Sequence, residues 1–271
     1  MQASSSSYLA NDGAAYERFI GRWTRRLAAA VLDAAPPPAD GPLLDVACGT
    51  GSLAAALAAR DRARHIVGID IAEPYLAFAR ARDDIGAAEF VHMDALDLDL
   101  EPARFAAAYA VIALNFMRDP PAALEGMRRA VRPGGLIAGA GWDFRGGLVY
   151  QRLLWDTAAG LDPTAAATRD RIFAHPLALP DGMTGLWRQA GLRDVARQSV
   201  TIRMDFADFD DYWLPLLGGQ GPVGGYVAGL APELQERVRE AVRRAYLSGD
   251  ADGPRSLTAT AWLVTGVVPA S

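Results

Sequence analysis

Between residues 14 and 35 apolar side chains recur every three or four positions: Tyr16, Phe19, Ile20, Trp23, Leu27 and Val31. That spacing places them on one face of an α-helix. Three consecutive prolines, Pro36, Pro37 and Pro38, end it, because proline has no N–H for the helix ladder and fixes the chain as a stiff linker. From residue 43 the rhythm changes to short runs without a polar face, each followed by a helical stretch. Strands are expected at 43–47, 65–70, 90–93, 107–114 and 136–142, and helices from the glycine-rich turn to Arg60, at 74–82 and at 121–131. Alternation at this interval gives parallel strands joined by right-handed crossovers. Strands as uniformly apolar as residues 110–114 call for a sheet covered on both faces. The expected architecture is α/β, a doubly wound, mostly parallel sheet.

Beyond residue 147 the pattern is less regular. Helices are expected at 148–160, 183–190 and 232–247, with Gly191 placed to cap the second. Alternating stretches at 195–206 and 257–267 read as two more strands, which makes seven. Residues 1–13 are small and polar and read as frayed. The organisation expected is a helical cover and linker at 1–40, then one domain at 41–271. Segments 143–182 and 207–250 are too long for turns, and read as helical insertions forming a lid and a ligand pocket.

Composition narrows the function. The 271 residues are 51% hydrophobic and 22% charged, which excludes wholesale disorder. All 27 basic residues are arginine, and with abundant alanine, glycine and proline this suggests a GC-rich bacterial gene. A net charge of −5 argues against nucleic acid as the main partner. A single cysteine, Cys48, and three scattered histidines offer no metal-ligand spacing, so no metal is expected. No apolar run reaches the ~18 residues of a membrane helix, and the amino-terminal stretch lacks a signal peptide's basic start and apolar core. A cytoplasmic location, a small-molecule partner and no membrane association follow as expectations, with a homodimer as one assembly open to the chain.

The chemistry concentrates at Asp45-Val46-Ala47-Cys48-Gly49-Thr50-Gly51, where an apolar strand runs into a turn with two glycines and a helix opens directly after it. Glycine lets backbone approach a ligand closely, and free N–H groups at the helix start face that ligand. Such a turn binds a nucleotide-like molecule at the carboxyl ends of the strands. About twenty residues on, Asp70 closes the second strand, where a carboxylate can accept both hydroxyls of a ribose. Asp94 ends the third strand.

The set DVACGTG, GIDIAEPYLAFAR, FVHMDALDL and RPGG, in that order across residues 14 to 142, resembles the class I S-adenosylmethionine-dependent methyltransferases, whose small-molecule members also have a leading helix like YERFIGRWTRR. The resemblance implies a seven-stranded Rossmann-like fold, S-adenosylmethionine as cofactor, and methyl transfer to a small molecule by in-line displacement. It implies that Asp45, Ala47 and Gly49 line the methionine end, that Asp70 holds the ribose, and that Ile71 packs on the adenine. Asp94 and the N–H of Ala95 would read the adenine edge, Ala110 and Val111 would flank the methionine portion, and Tyr16 and Arg22 would contribute from the leading helix. Two departures stand out: Ala47 replaces the family's first glycine, and the fourth strand is apolar at Val111, where many relatives carry a polar residue.

For catalysis the candidates are His175, Asp143 and Tyr150, all near the second-half segments where ligand-facing loops belong. Two other readings start from the same residues. One is a binding or regulatory protein that keeps the fold without turnover. The other is an NAD-dependent oxidoreductase, which fits poorly because Ala47 and Ser52 stand where the dinucleotide fingerprint wants glycine.

Overall fold

The computed structural model describes residues 10–179 and 181–270. Strands are β1 (Leu43–Val46), β2 (Ile66–Asp70), β3 (Ala88–His92), β4 (Phe105–Val111), β5 (Val131–Trp142), β6 (Arg193–Phe206) and β7 (Arg255–Val267). They form one sheet in the order β3-β2-β1-β4-β5-β7-β6. All neighbours from β3 to β5 are parallel, and β7 runs antiparallel to both β5 and β6. This is the seven-stranded, mostly parallel sheet expected from the sequence. β6 sits at the edge and has β7 as its sheet neighbour.

The helices are α1 (Gly13–Tyr16), α2 (Arg22–Ala34), α3 (Ser52–Ala58), α4 (Glu73–Arg80), α5 (Pro120–Ala130), α6 (Val149–Ala159), α7 (Pro163–Phe173), α8 (Gly182–Gln189), α9 (Phe209–Trp213), α10 (Gly221–Ala228) and α11 (Pro232–Leu247). Successive strand residues point to opposite faces, so each central strand feeds two cores. Leu43, Ala107 and Tyr109 pack with α2, α3 and α6. Leu44, Ala108 and Ala110 pack with α5 and α8.

Several elements differ from the sequence expectation for local reasons. The first helix is broken by a π-helical turn at Glu17–Gly21 between α1 and α2. It starts firmly at Gly13, because Asp12 accepts a hydrogen bond from the N–H of Ala15 at 3.0 Å; residues 1–9 of the expected frayed segment lie outside the described residues. β4 stops at Val111 because Ile112 takes a positive φ of 52°. β5 starts at Val131 rather than at the expected 136, and residues 132–135 are absorbed into it by a register shift between Phe105 and Ala107. The glycine-rich run after α9 becomes α10, with Pro222 in its first turn and Val223 and Val227 buried. α7 lies inside the expected helical insertion at 143–182 without having been located there as an element; of its eleven residues only Ala165 is buried.

Candidate functional site

β1 ends at Val46 and the chain turns through Ala47 (φ 55°), Gly49 (φ 55°) and Gly51 (φ 82°) before α3. Glycine takes this left-handed backbone freely, whereas Ala47 bears a strain of about 1–2 kcal/mol. A Cβ on Gly49 would meet nothing nearer than Tyr75 Cδ2 at 3.9 Å, so that side of the turn is open.

Asp70 fastens the turn. Its Oδ2 accepts the N–H of Gly49 at 2.9 Å and its Oδ1 accepts the N–H of Ala72 at 2.8 Å. One carboxylate thereby ties the β1–α3 turn to the β2–α4 turn. Burial raises its pKa, opposed by the N–H groups of Ala72, Gly49 and Ile71 and by His92. Asp45 lies deeper, 2% exposed, and its Oδ2 has no hydrogen-bond partner among the described residues. Burial, then the charge of Asp70, pushes its pKa up to about 8 against a hydrogen bond from Ala54. Asp94 follows β3 and accepts the N–H of Leu96 on Oδ1 at 2.9 Å.

These ends converge on one cleft with a cavity volume of about 680 Å³, within the size range of small-molecule sites. One wall is Gly49, Asp70, Ile71, Met93, Asp94 and Ala95. Val111 and Trp142, from the ends of β4 and β5, form the floor with Phe144. Tyr16, Phe19 and Ile20 cover it from the leading helix, and Pro222 and Val223 from α10. The opposite wall carries Gln151 of α6, Thr168, Arg171 and Ile172 of α7, and His175 just after it. A small pocket of about 40 Å³ shares Tyr16, Ala47, Gly49 and Val111 with the cleft and reaches Asp45.

The cover is strapped to the glycine turn. Thr50 Oγ1 donates to Glu17 Oε1 at 2.5 Å, Glu17 pairs with Arg25, and the hydroxyls of Thr24 and Ser52 are 2.9 Å apart. The rings of Tyr16 and Tyr75 meet at 4.8 Å. Across the mouth, Tyr75 Oη donates to Gln220 Oε1 at 2.9 Å and Gln220 Nε2 donates to Asn11 Oδ1 at 2.6 Å. That buried amide joins α4, the start of α10 and the segment before α1.

Of the residues singled out from the sequence, Tyr16, Ala47, Gly49, Asp70 and Ile71 line the cleft, as do Asp94, Ala95, Val111 and His175. Asp45 lines the small adjoining pocket, and four others lie elsewhere, which corrects their expected placement. Arg22 is drawn to Asp211, 2.7 Å away, and over the Trp23 ring at 4.4 Å. The Ala110 side chain is enclosed in the core between β4 and α5. Asp143 closes its own turn by accepting the N–H of Gly146 at 2.9 Å. Tyr150 is buried among Phe19, Phe206 and Tyr212, and its hydroxyl accepts from Gln151 at 2.9 Å. Sequence reasoning passed over Thr168, Arg171 and Ile172. They fall at i, i+3 and i+4, the spacing of a single helix face, which is the signal that marks them, and His175 follows two residues after the helix ends.

His175 Nδ1 accepts the N–H of Leu177 at 3.2 Å, and burial lowers the pKa of the ring. Among the described residues no cluster of three His, Cys, Asp or Glu could hold a metal ion.

Residues 43–135 match a family model described as a methyltransferase domain. The chain is 32% identical over 206 residues to O-methyltransferase cnsE of Penicillium expansum, covering 73% of this chain and 70% of that one. It is 31% identical over 175 residues to an O-methyltransferase of Pyrenophora dematioidea, covering 63% of this chain and 61% of that protein. Phosphoethanolamine N-methyltransferase 2 of Haemonchus contortus, solved in complex with S-adenosyl-L-methionine, shares the fold. It has a TM-score of 0.57 at 16% identity, over 95% of this chain and 57% of that chain.

Proposed function

The chain belongs to the class I S-adenosylmethionine-dependent methyltransferases, and from that premise we propose that it methylates an oxygen of a small, mainly apolar molecule held against α7. When bound, S-adenosylmethionine supplies a methyl group already activated on a sulfonium. Two features of the site fit that cofactor. The orphaned Asp45 Oδ2 is a buried acceptor beside the glycine turn, suited to a cationic or N–H-bearing end. The open side of Gly49 admits a ligand where a side chain would stand.

The chain's own residues then divide the work. Each oxygen of Asp70 already accepts one backbone N–H and keeps a lone pair for a ribose hydroxyl, each such charged bond contributing about 1.5–3 kcal/mol. Asp94 and the N–H of Ala95 face the adenine edge, and the exposed Ile71 offers its apolar face to the ring. Ala47 and Val111 flank the methionine portion, with Tyr16 above. Arg22 serves from a distance, holding the leading helix to α9 through Asp211. Trp142, Phe144 and the cover residues exclude water and orient the acceptor, and orientation of this kind supplies about 7–11 kcal/mol. Lid and pocket roles for segments 143–182 and 207–250, and a cytoplasmic setting, belong to the same reading. No helix among the described residues is long and apolar enough to cross a membrane.

The observation that carries the proposal is Asp70, one carboxylate fastening two turns at the wall of a cleft that Asp94 and α7 also line. Calorimetry should show micromolar binding of S-adenosylmethionine and of its demethylated product S-adenosylhomocysteine. Asp70→Ala should weaken both by at least tenfold. A folded wild-type protein that binds neither would overturn the reading.

A further inference from the structure

The two sides of the cleft differ in charge. Among its lining residues the carboxylates are Asp70 and Asp94, both on the wall formed by the ends of β2 and β3. The opposite wall carries no carboxylate and one guanidinium, Arg171. Its neighbour on α7, Arg169, is neutralised by Asp156 and Asp170 on the outer side of the helix. Arg171 has no carboxylate within ion-pair distance among the described residues, and its one hydrogen bond is a long one, 3.5 Å to Thr168 Oγ1.

His175 follows just after α7, capping the short helical turn Pro176–Ala178, and lines the same wall. Its Nδ1 is occupied as an acceptor by the N–H of Leu177, so the neutral ring carries its proton on Nε2. Burial of the ring favours that neutral form. A ring in this state donates from Nε2, and cannot take a proton there. The wall therefore presents donors and positive charge, with Ile172 and Phe144 as apolar surroundings.

We infer that the methyl acceptor enters as an oxyanion: an apolar, ring-sized molecule whose carboxylate, or ionised acidic enol or phenol, is held by the Arg171 guanidinium and the Nε2–H of His175. This rests on the methyl-transfer reading above and adds the chemical class of the acceptor. A lone pair of the anionic oxygen forms the new O–CH₃ bond, and the electron pair of the broken C–S bond goes to sulfur. The acceptor is already deprotonated, so no side chain has to remove a proton, and charges of opposite sign cancel. Charge-assisted bonds of this type are the strong ones, and Arg matches a carboxylate in two places at once.

The test uses the full chain saturated with S-adenosylhomocysteine and two matched probe pairs: 2-naphthoate against 2-naphthamide, and 2-hydroxy-1,4-naphthoquinone against its methyl ether. At neutral pH the first member of each pair is an anion and the second is neutral. In at least one pair the anion should bind tenfold or more tightly than its partner, and which pair does so separates a carboxylate from an enolate acceptor. Arg171→Met should remove that preference while changing the neutral probe less than threefold. His175→Gln keeps a donor at the same place and should hold the anion's affinity within threefold, whereas His175→Phe should lose at least fivefold. The proposal is overturned if neither anion is preferred, if Arg171→Met leaves the preference intact, or if Gln and Phe at position 175 behave alike. Binding of S-adenosylhomocysteine by every variant is measured alongside. Its loss in the wild type would sink the methyl-transfer reading, and its retention confines any failure to the oxyanion.

Discussion

Asp45 and Asp70 show how far single residues can be read. A glycine turn after an apolar strand, with an acid closing the next strand, is a local pattern, and both carboxylates were legible from it. What the pattern does not reveal is burial. Asp45 ends 2% exposed with a pKa of about 8, well above its unfolded value of 3.8. The folded protein therefore binds that proton more tightly than the unfolded chain. The stability this provides is complete below pH 4 and is lost as pH rises from there through 8, with a slope of at most about 1.4 kcal/mol per unit. Asp45→Asn stays neutral throughout and should lack this term. Urea denaturation from pH 5 to 8 should show the wild type losing stability that the variant keeps. Asp70 is shifted in the same direction, so the readout is the difference between the two proteins. Parallel pH dependences would mean that Asp45 does not titrate as its burial dictates.

At the scale of elements, the central parallel strands β1, β2 and β4 were legible because a strand buried on both faces is apolar almost throughout, and that needs no knowledge of its neighbours. α7 was not, because Pro163–Phe173 is an Ala- and Thr-rich surface helix whose informative face looks onto a cleft built by other segments. The π-helical turn at Glu17–Gly21 was hidden for a different reason: its cause is tertiary. Glu17 reaches Thr50 and Arg25, and a Cβ on Gly21 would collide with the Glu17 carboxylate. Short π-helical turns inside α-helices are frequent at functional sites. Glu17→Ala should release the strap. Amide exchange across residues 13–21 should quicken at least fivefold, and S-adenosylhomocysteine should bind about three- to tenfold more weakly, with helix content unchanged. Unchanged exchange would show that the cover is held by the Tyr16–Tyr75 contact and its apolar face alone.

The whole molecule gathers the leading helix, the strand ends, α7 and α10 around one cavity. A ligand there should stabilise them as a single unit. At one hundred times its dissociation constant, S-adenosylhomocysteine should add about 2.7 kcal/mol, or roughly 5–10 °C in melting temperature for a chain of this size. Calorimetric melting should show one transition that moves as a whole. Two transitions, of which one ignores the ligand, would mean that the second-half helices fold apart from the cofactor-side half.

The position of β7 between β5 and β6 has a further consequence for biosynthesis. A ribosome releases Arg193–Phe206 long before Arg255–Val267, so the nascent edge strand has no seat in the sheet while α9, α10 and α11 are being made. Its backbone N–H and C=O groups stay available to chance partners during that interval. The closing event is then the arrival of one late strand, threaded antiparallel into a waiting slot, and only afterwards can the far wall of the cavity settle.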